Sequence, residues 1–148
     1  MPGDGADRGE TLVELLITIV IMGITVVAVV GALMTSIQMS DIHRKQATAG
    51  TVARDYAETV DRYVGSTGYT GCAAPSAYSP STVGFTARSG FTASVASVRY
   101  WTGAAWTSTC SSDLGLQQVT VQVASDDARA TESSVLVVRK PCGQGSSC

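Results

Sequence analysis

Apolar residues are spread unevenly along this chain. Residues 15–34, LLITIVIMGITVVAVVGALM, form an apolar run without a charge. That is about the 20 residues a helix needs to cross a ~30 Å hydrocarbon core. The run extends back to about residue 12 and follows a short polar stretch, MPGDGADRG. No proline occurs between residues 3 and 74. Past the run, Val52, Tyr56, Val60 and Val64 recur every four residues, with Ala49, Ala53 and Ala57 beside them. Asp55, Glu58 and Arg62 fall elsewhere on the wheel. This spacing predicts a single helix over about residues 11–63, roughly 80 Å at 1.5 Å per residue. Its first half is apolar all round. Its second half is amphipathic and should lay the Val/Tyr stripe on a sheet.

The period changes after Gly65-Ser-Thr-Gly68, which ends the helix. A loop rich in Gly, Pro, Ser and Ala then reaches about residue 84 and contains Cys72. Alternating or β-rich runs follow at residues 91–101, 106–110, 116–124 and 134–139, with a turn near Gly103. Val119, Val121 and Val123 share one face of a strand, and Gln118, Thr120 and Gln122 the other, as in a half-buried antiparallel sheet. Ser125-Asp126-Asp127 reads as a solvated turn, with a calcium loop as the weaker alternative. The fold class is therefore α+β: a long N-terminal helix packed on a small antiparallel β head. Tyr100, Trp101 and Trp106 read as cross-strand packing, or alternatively as an exposed adhesive aromatic patch.

Composition narrows the function. Mean hydropathy is +0.19, net charge is −2 and the pI is about 5.2. Without a basic excess, no nucleic-acid partner is expected. One histidine, no G-x-S-x-G, no phosphate-binding loop and no paired carboxylates in a plausible cleft leave no enzyme signature and imply no cofactor.

Four cysteines, Cys72, Cys110, Cys142 and Cys148, all lie beyond the apolar run. An even number in a small head with little core fits two disulfides formed in an oxidising compartment. Reduced thiols and a zinc site are the alternatives. There is no C-x-x-C pair, and His43 is distant in sequence, so no metal is expected. Three pairings are open. The preferred one joins Cys72 to Cys110, clipping the loop to the sheet, and Cys142 to Cys148, closing CGQGSSC.

A secretory signal would have a basic start, a shorter apolar core and a small-residue cut site after it. Here the start is not basic, the core is long, and the chain runs straight on into MTSIQMSDIHRKQ. The segment is therefore expected to stay attached. Glu14 stands near its beginning. A carboxylate at mid-membrane costs about 2.5–3.5 kcal/mol on insertion scales, and less near the interface. Glu14 either marks the interfacial start of the span or needs a positive partner.

The stretch Arg8-Gly9-Glu10-Thr11-Leu12-Val13-Glu14-Leu15-Leu16 resembles the processing signature of type IV prepilins and pseudopilins. The resemblance covers about 25 residues. It implies that a prepilin peptidase cuts between Gly9 and Glu10 and N-methylates Glu10. It also implies that Glu14 neutralises the terminal amine of a neighbouring subunit, setting axial register in a filament. Glu10 stands where Phe is most frequent in that family, which adds a second carboxylate beside that amine.

The implied organisation is a cleaved leader (1–9), a transmembrane and assembly helix (10–34), its amphipathic continuation (35–64) and the β head (65–148). The family lets a stretch like the one around Gly23 and Gly31 lose helicity on assembly; the glycines equally permit close helix contact. Partners would be the peptidase, other pilin subunits, the assembly platform and the membrane. The head would be extracytoplasmic and the N-terminus cytoplasmic. A count of basic residues points the other way, since Arg8 precedes the span while His43, Arg44 and Lys45 follow it. The leader signature and the cysteines outweigh that count. The expected function is a structural subunit of a type IV pilus or of a type II secretion-like filament. The alternatives are a membrane-tethered binding module that never polymerises, and a tip subunit that binds DNA or a surface.

Overall fold

The computed structural model describes residues 11–141. The chain divides into two compact units after Asp41.

The first unit is the amino-terminal part of α1 (Leu12–Tyr63). Thr11 starts the helix. Its carbonyl accepts from the amides of Glu14 (2.9 Å) and Leu15 (3.3 Å). Every described residue up to Asp41 is exposed, including Leu12, Ile24, Val27 and Ile37, each at least two-thirds exposed. The segment is long and apolar enough to cross a membrane. Its threonines suit that setting. Thr18, Thr25 and Thr35 donate their hydroxyls to the carbonyls of Glu14, Ile21 and Gly31, one turn back, at 2.7–3.0 Å. These three hydroxyls then need no water. Gly23 and Gly31 lie within unbroken helix despite their low propensity.

The second unit holds the rest of α1 and a four-stranded antiparallel sheet: β1 (Phe91–Trp101), β2 (Trp106–Thr107), β3 (Leu116–Ser125) and β4 (Thr131–Arg139), in the order β2-β1-β3-β4. Side chains alternate across the sheet, as strand geometry requires. Val119, Val121 and Val123 are fully buried against α1. Tyr56, Val60 and Val64 share a core with Val98, Val119, Val121 and Val138, and Ala49, Val52 and Ala53 pack with Val123. Each such valine contributes about 1.5–3 kcal/mol on burial. Ala96 is an extra residue in β1: Val95 faces Val121, whereas Ser97 already faces Thr120. The bulge switches the inward set from Ala93 and Val95 to Val98 and Tyr100.

The structure departs from the pattern-based expectation in three places. The segment between helix and sheet is more ordered than a loop. After α1 a π-helical turn (Val64–Gly68) is followed by a 3-10 turn (Pro75–Tyr78) and by α2 (Pro80–Val83). Pro75 and Pro80 sit at the starts of these turns, where a missing N–H costs nothing. β2 is only two residues long. β4 begins at Thr131, three residues earlier than the apolar pattern indicates, because Thr131-Glu-Ser-Ser is polar yet pairs in register with β3.

Candidate functional site

The two chemically distinctive regions are the start of α1 and the segment that follows it. Gly9 and Glu10 lie outside the described residues. Glu14 occupies the first turn of α1, exposed, with its amide 3.3 Å from the hydroxyl oxygen of Thr11. Thr11 and Glu14 thus stand in the T-x-x-E spacing of a capping box, in which a negative side chain at the third helical position also complements the helix dipole. Glu14 therefore has a local reason to exist at a helix start.

The segment after α1 is fastened by one disulfide and a set of buried hydroxyls. Cys72 and Cys110 are bonded, with Cα atoms 5.6 Å apart and a sequence separation of 38. This is the expected pairing. Cys142 and Cys148 lie outside the described residues. Cys72 has φ of 52°, the left-handed region that non-glycine residues rarely enter, at a cost of about 1–2 kcal/mol. Its amide donates to Asp113 Oδ2 at 2.7 Å.

Asp113 is the hub of this region. Oδ1 accepts from the Tyr69 hydroxyl and the Gly115 amide, both at 2.6 Å. Oδ2 accepts from the Cys72 amide and from Gln117 Nε2, both at 2.7 Å. Partial burial opposes its charge, but these four donors outweigh it and hold the carboxyl below its usual range. Cys72, Cys110 and Asp113 place potential metal-ligand atoms within 4.8 Å of one another. The two sulfurs are bonded to each other and the carboxylate is fully engaged, so the group is committed to protein bonds rather than to an ion.

Three further tyrosines complete the clasp. Tyr56 donates from α1 to the Tyr78 carbonyl at 2.7 Å and stacks on Phe85 with ring centres 4.7 Å apart. Tyr78 donates to Gln117 Oε1, and Tyr100 to the Ala73 carbonyl, both at 2.8 Å. Burial pushes Tyr56 and Tyr78 up to about 12. Burial and then the Asp113 carboxylate raise Tyr69 further. Tyr100 therefore points into the core and takes no part in an aromatic surface. Trp101 and Trp106 do meet across β1 and β2, ring centres 5.2 Å apart.

Pattern reasoning missed Asp113, Gln117 and the tyrosine clasp. A hint was present: Gln117 shares the alternation of Val119, Val121 and Val123, so an inward strand face contains an amide that must find partners.

The turn between β3 and β4 is closed by its own side chains. Asp127 accepts from the Lys45 ammonium at 2.6 Å, from Ser125 Oγ at 2.7 Å and from the Arg129 amide. Bonding to Lys45 first, and to Ser125 next, holds this exposed carboxyl well below its ordinary range. Both oxygens of Asp127 are thereby committed to closing the turn.

Comparison of the chain with family models, with curated proteins and with solved structures finds no match.

Proposed function

We propose that this chain is a structural subunit of a type IV pilus or related secretion filament, made as a single-pass membrane precursor and trimmed between Gly9 and Glu10. The carrying observation is a helix whose first thirty residues are exposed, uncharged from residue 15 to residue 40 and apolar from residue 15 to residue 34, with a carboxylate, Glu14, in its first turn. So much apolar surface requires lipid or other helices around it. A carboxylate at that position can meet the terminal amine of a neighbouring copy. In a low-dielectric bundle such a pair attracts far more strongly than in water, and either charge left alone is costly.

On this reading the head faces outward and does no chemistry of its own. The Cys72–Cys110 disulfide supports an extracytoplasmic head, since such bonds persist in oxidising compartments. The tyrosine clasp and the Asp113 hub give the small head rigidity that its core alone would not supply.

The intact mass of the chain recovered from cells that make it tests the proposal. A mature terminus at Glu10, methylated or not, supports it. A membrane-bound chain that keeps residues 1–9 overturns it and favours the tethered, non-polymerising module.

A further inference from the structure

The sheet face turned away from α1 has a composition unlike the rest of the chain. The protein carries 12 acidic and 10 basic residues. On the outward positions of the four strands there is no carboxylate, while Arg99 and Arg139 are both exposed there. Amides and hydroxyls run across the strands, interrupted on β4 by the exposed Val135 and Val137. Ser94, Gln122 and Ser133 stand side by side, and Arg99, Gln118 and Val137 form another row. With strands of 9–11 residues, the face is about 30 Å long.

One end of the face is aromatic. Trp101 and Trp106 are a directly opposed pair, so both side chains project on the Arg99 side of the sheet, and both are only half-buried. Arg99 Nη2 donates to the Trp106 carbonyl at 3.0 Å, which anchors its guanidinium beside the pair.

We propose that this face binds an anionic polysaccharide, one bearing carboxylates along a hydroxyl-rich chain. Indole surfaces pack on the C–H faces of sugar rings, and rows of Gln and Ser exchange hydrogen bonds with sugar hydroxyls. The two arginines meet the carboxylates; the acid that reaches this face, Asp126, accepts from Thr92 at the opposite end of the face. Charge complementarity selects the occupant: a neutral glycan would leave the arginines unused. A nucleic acid would need many more cations, because its affinity comes mainly from phosphate neutralisation. The site belongs to the head and does not depend on whether the chain polymerises.

Trp101 and Trp106 are the only tryptophans in the chain, so indole emission reports on this face alone. The full chain, held in a polyoxyethylene detergent that contains no sugar, is titrated with polygalacturonate, with dextran and with an oligothymidylate. A saturable emission change with polygalacturonate, weaker by about tenfold for dextran, is expected. Val137→Glu places a carboxylate at a half-exposed position and should weaken polygalacturonate binding by about tenfold. Arg99→Gln should do the same, with unchanged thermal unfolding as the control on the fold. No emission change with polygalacturonate overturns the proposal. So does equal affinity in Val137→Glu, equal affinity for dextran, or a response to oligothymidylate alone, which would assign the face to nucleic acid.

Discussion

Gln117 Nε2 donates to Asp113 Oδ2 at 2.7 Å and to the Thr70 carbonyl at 2.8 Å, while its Oε1 accepts from the Tyr78 hydroxyl. One fully buried amide thus uses three of its four hydrogen-bonding positions to join the sheet, the segment after the helix, and the Asp113 hub. Gln117→Leu would keep the volume and leave Asp113 and the Tyr78 hydroxyl each one partner short. Such an orphaned group costs about 1–3 kcal/mol. Urea denaturation of the detergent-solubilised chain should therefore show a lower midpoint, with the Cys72–Cys110 disulfide still formed.

Acid should weaken the same region. The Asp113 carboxyl is held below its ordinary value, so its contribution is complete above the unfolded pKa, about 3.9. It is lost as pH falls through the still lower folded value. Asp127 shifts in the same direction. Thermal unfolding followed from pH 6 to pH 2 should hold level and then fall below about pH 4. Asp113→Asn should lower stability at pH 6 and flatten the decline. A decline of unchanged steepness in that variant would assign the acid sensitivity elsewhere.

Alkali acts through the tyrosines with the opposite sign. Tyr56 and Tyr78 are pushed up to about 12, and Tyr69 is raised too, because the fold favours their neutral forms. Their stabilisation is complete below the unfolded value of about 10 and is lost as pH rises through the folded values. Ultraviolet titration of phenolate should therefore lag behind a simple pKa of about 10 and then rise steeply as the head opens. Tyr56→Phe keeps the stacking on Phe85 but removes the bond to Tyr78, and should cost about 1 kcal/mol.

The elements of this fold were largely legible because their periods are strong. The four-residue spacing from Val52 to Val64 and the two-residue spacing from Val119 to Val123 marked helix and strand, and both sets are buried as their spacing predicts. The segment between them was not legible. Its order comes from single long-range bonds: Tyr100 to Ala73, Tyr69 to Asp113, Cys72 to Cys110. Such bonds leave no periodic trace in sequence. The start of β4 was hidden for a related reason, since backbone pairing with β3, and not an apolar pattern, decides where that strand begins. At the helix start the T-x-x-E spacing of Thr11 and Glu14 was a legible sign of the cap, which pattern reasoning passed over in favour of Glu14 alone.

The disulfide should matter more for the unfolded chain than for any contact in the head. Closing a loop of 38 residues corresponds to about 4 kcal/mol in the chain-entropy model. Replacing Cys72 and Cys110 together by Ala should lower the urea midpoint by an amount of that order. Peptide mapping without reduction should recover Cys72 linked to Cys110; a Cys110–Cys148 link would contradict the geometry found here.

Thr11 and Glu14 allow the two roles of the helix carboxylate to be separated. If Glu14 served only as part of a cap, Thr11→Ala and Glu14→Gln would have similar consequences, each loosening the first turn by about 0.5–2 kcal/mol. The filament reading predicts a split. Thr11→Ala removes the hydroxyl that meets the Glu14 amide but keeps the charge, so processing and incorporation into filaments should continue. Glu14→Gln keeps shape and hydrogen-bonding capacity but cannot neutralise an amine. That variant should still be cut between Gly9 and Glu10, as read by intact mass, yet be missing from sheared filament fractions. Adding a further carboxylate near the same amine, as Glu10 does, makes the balance of charge sensitive. Glu10→Phe should therefore be processed and incorporated at least as well as the parent chain. Equal incorporation of Glu14→Gln and the parent would leave the cap as the carboxylate's whole role.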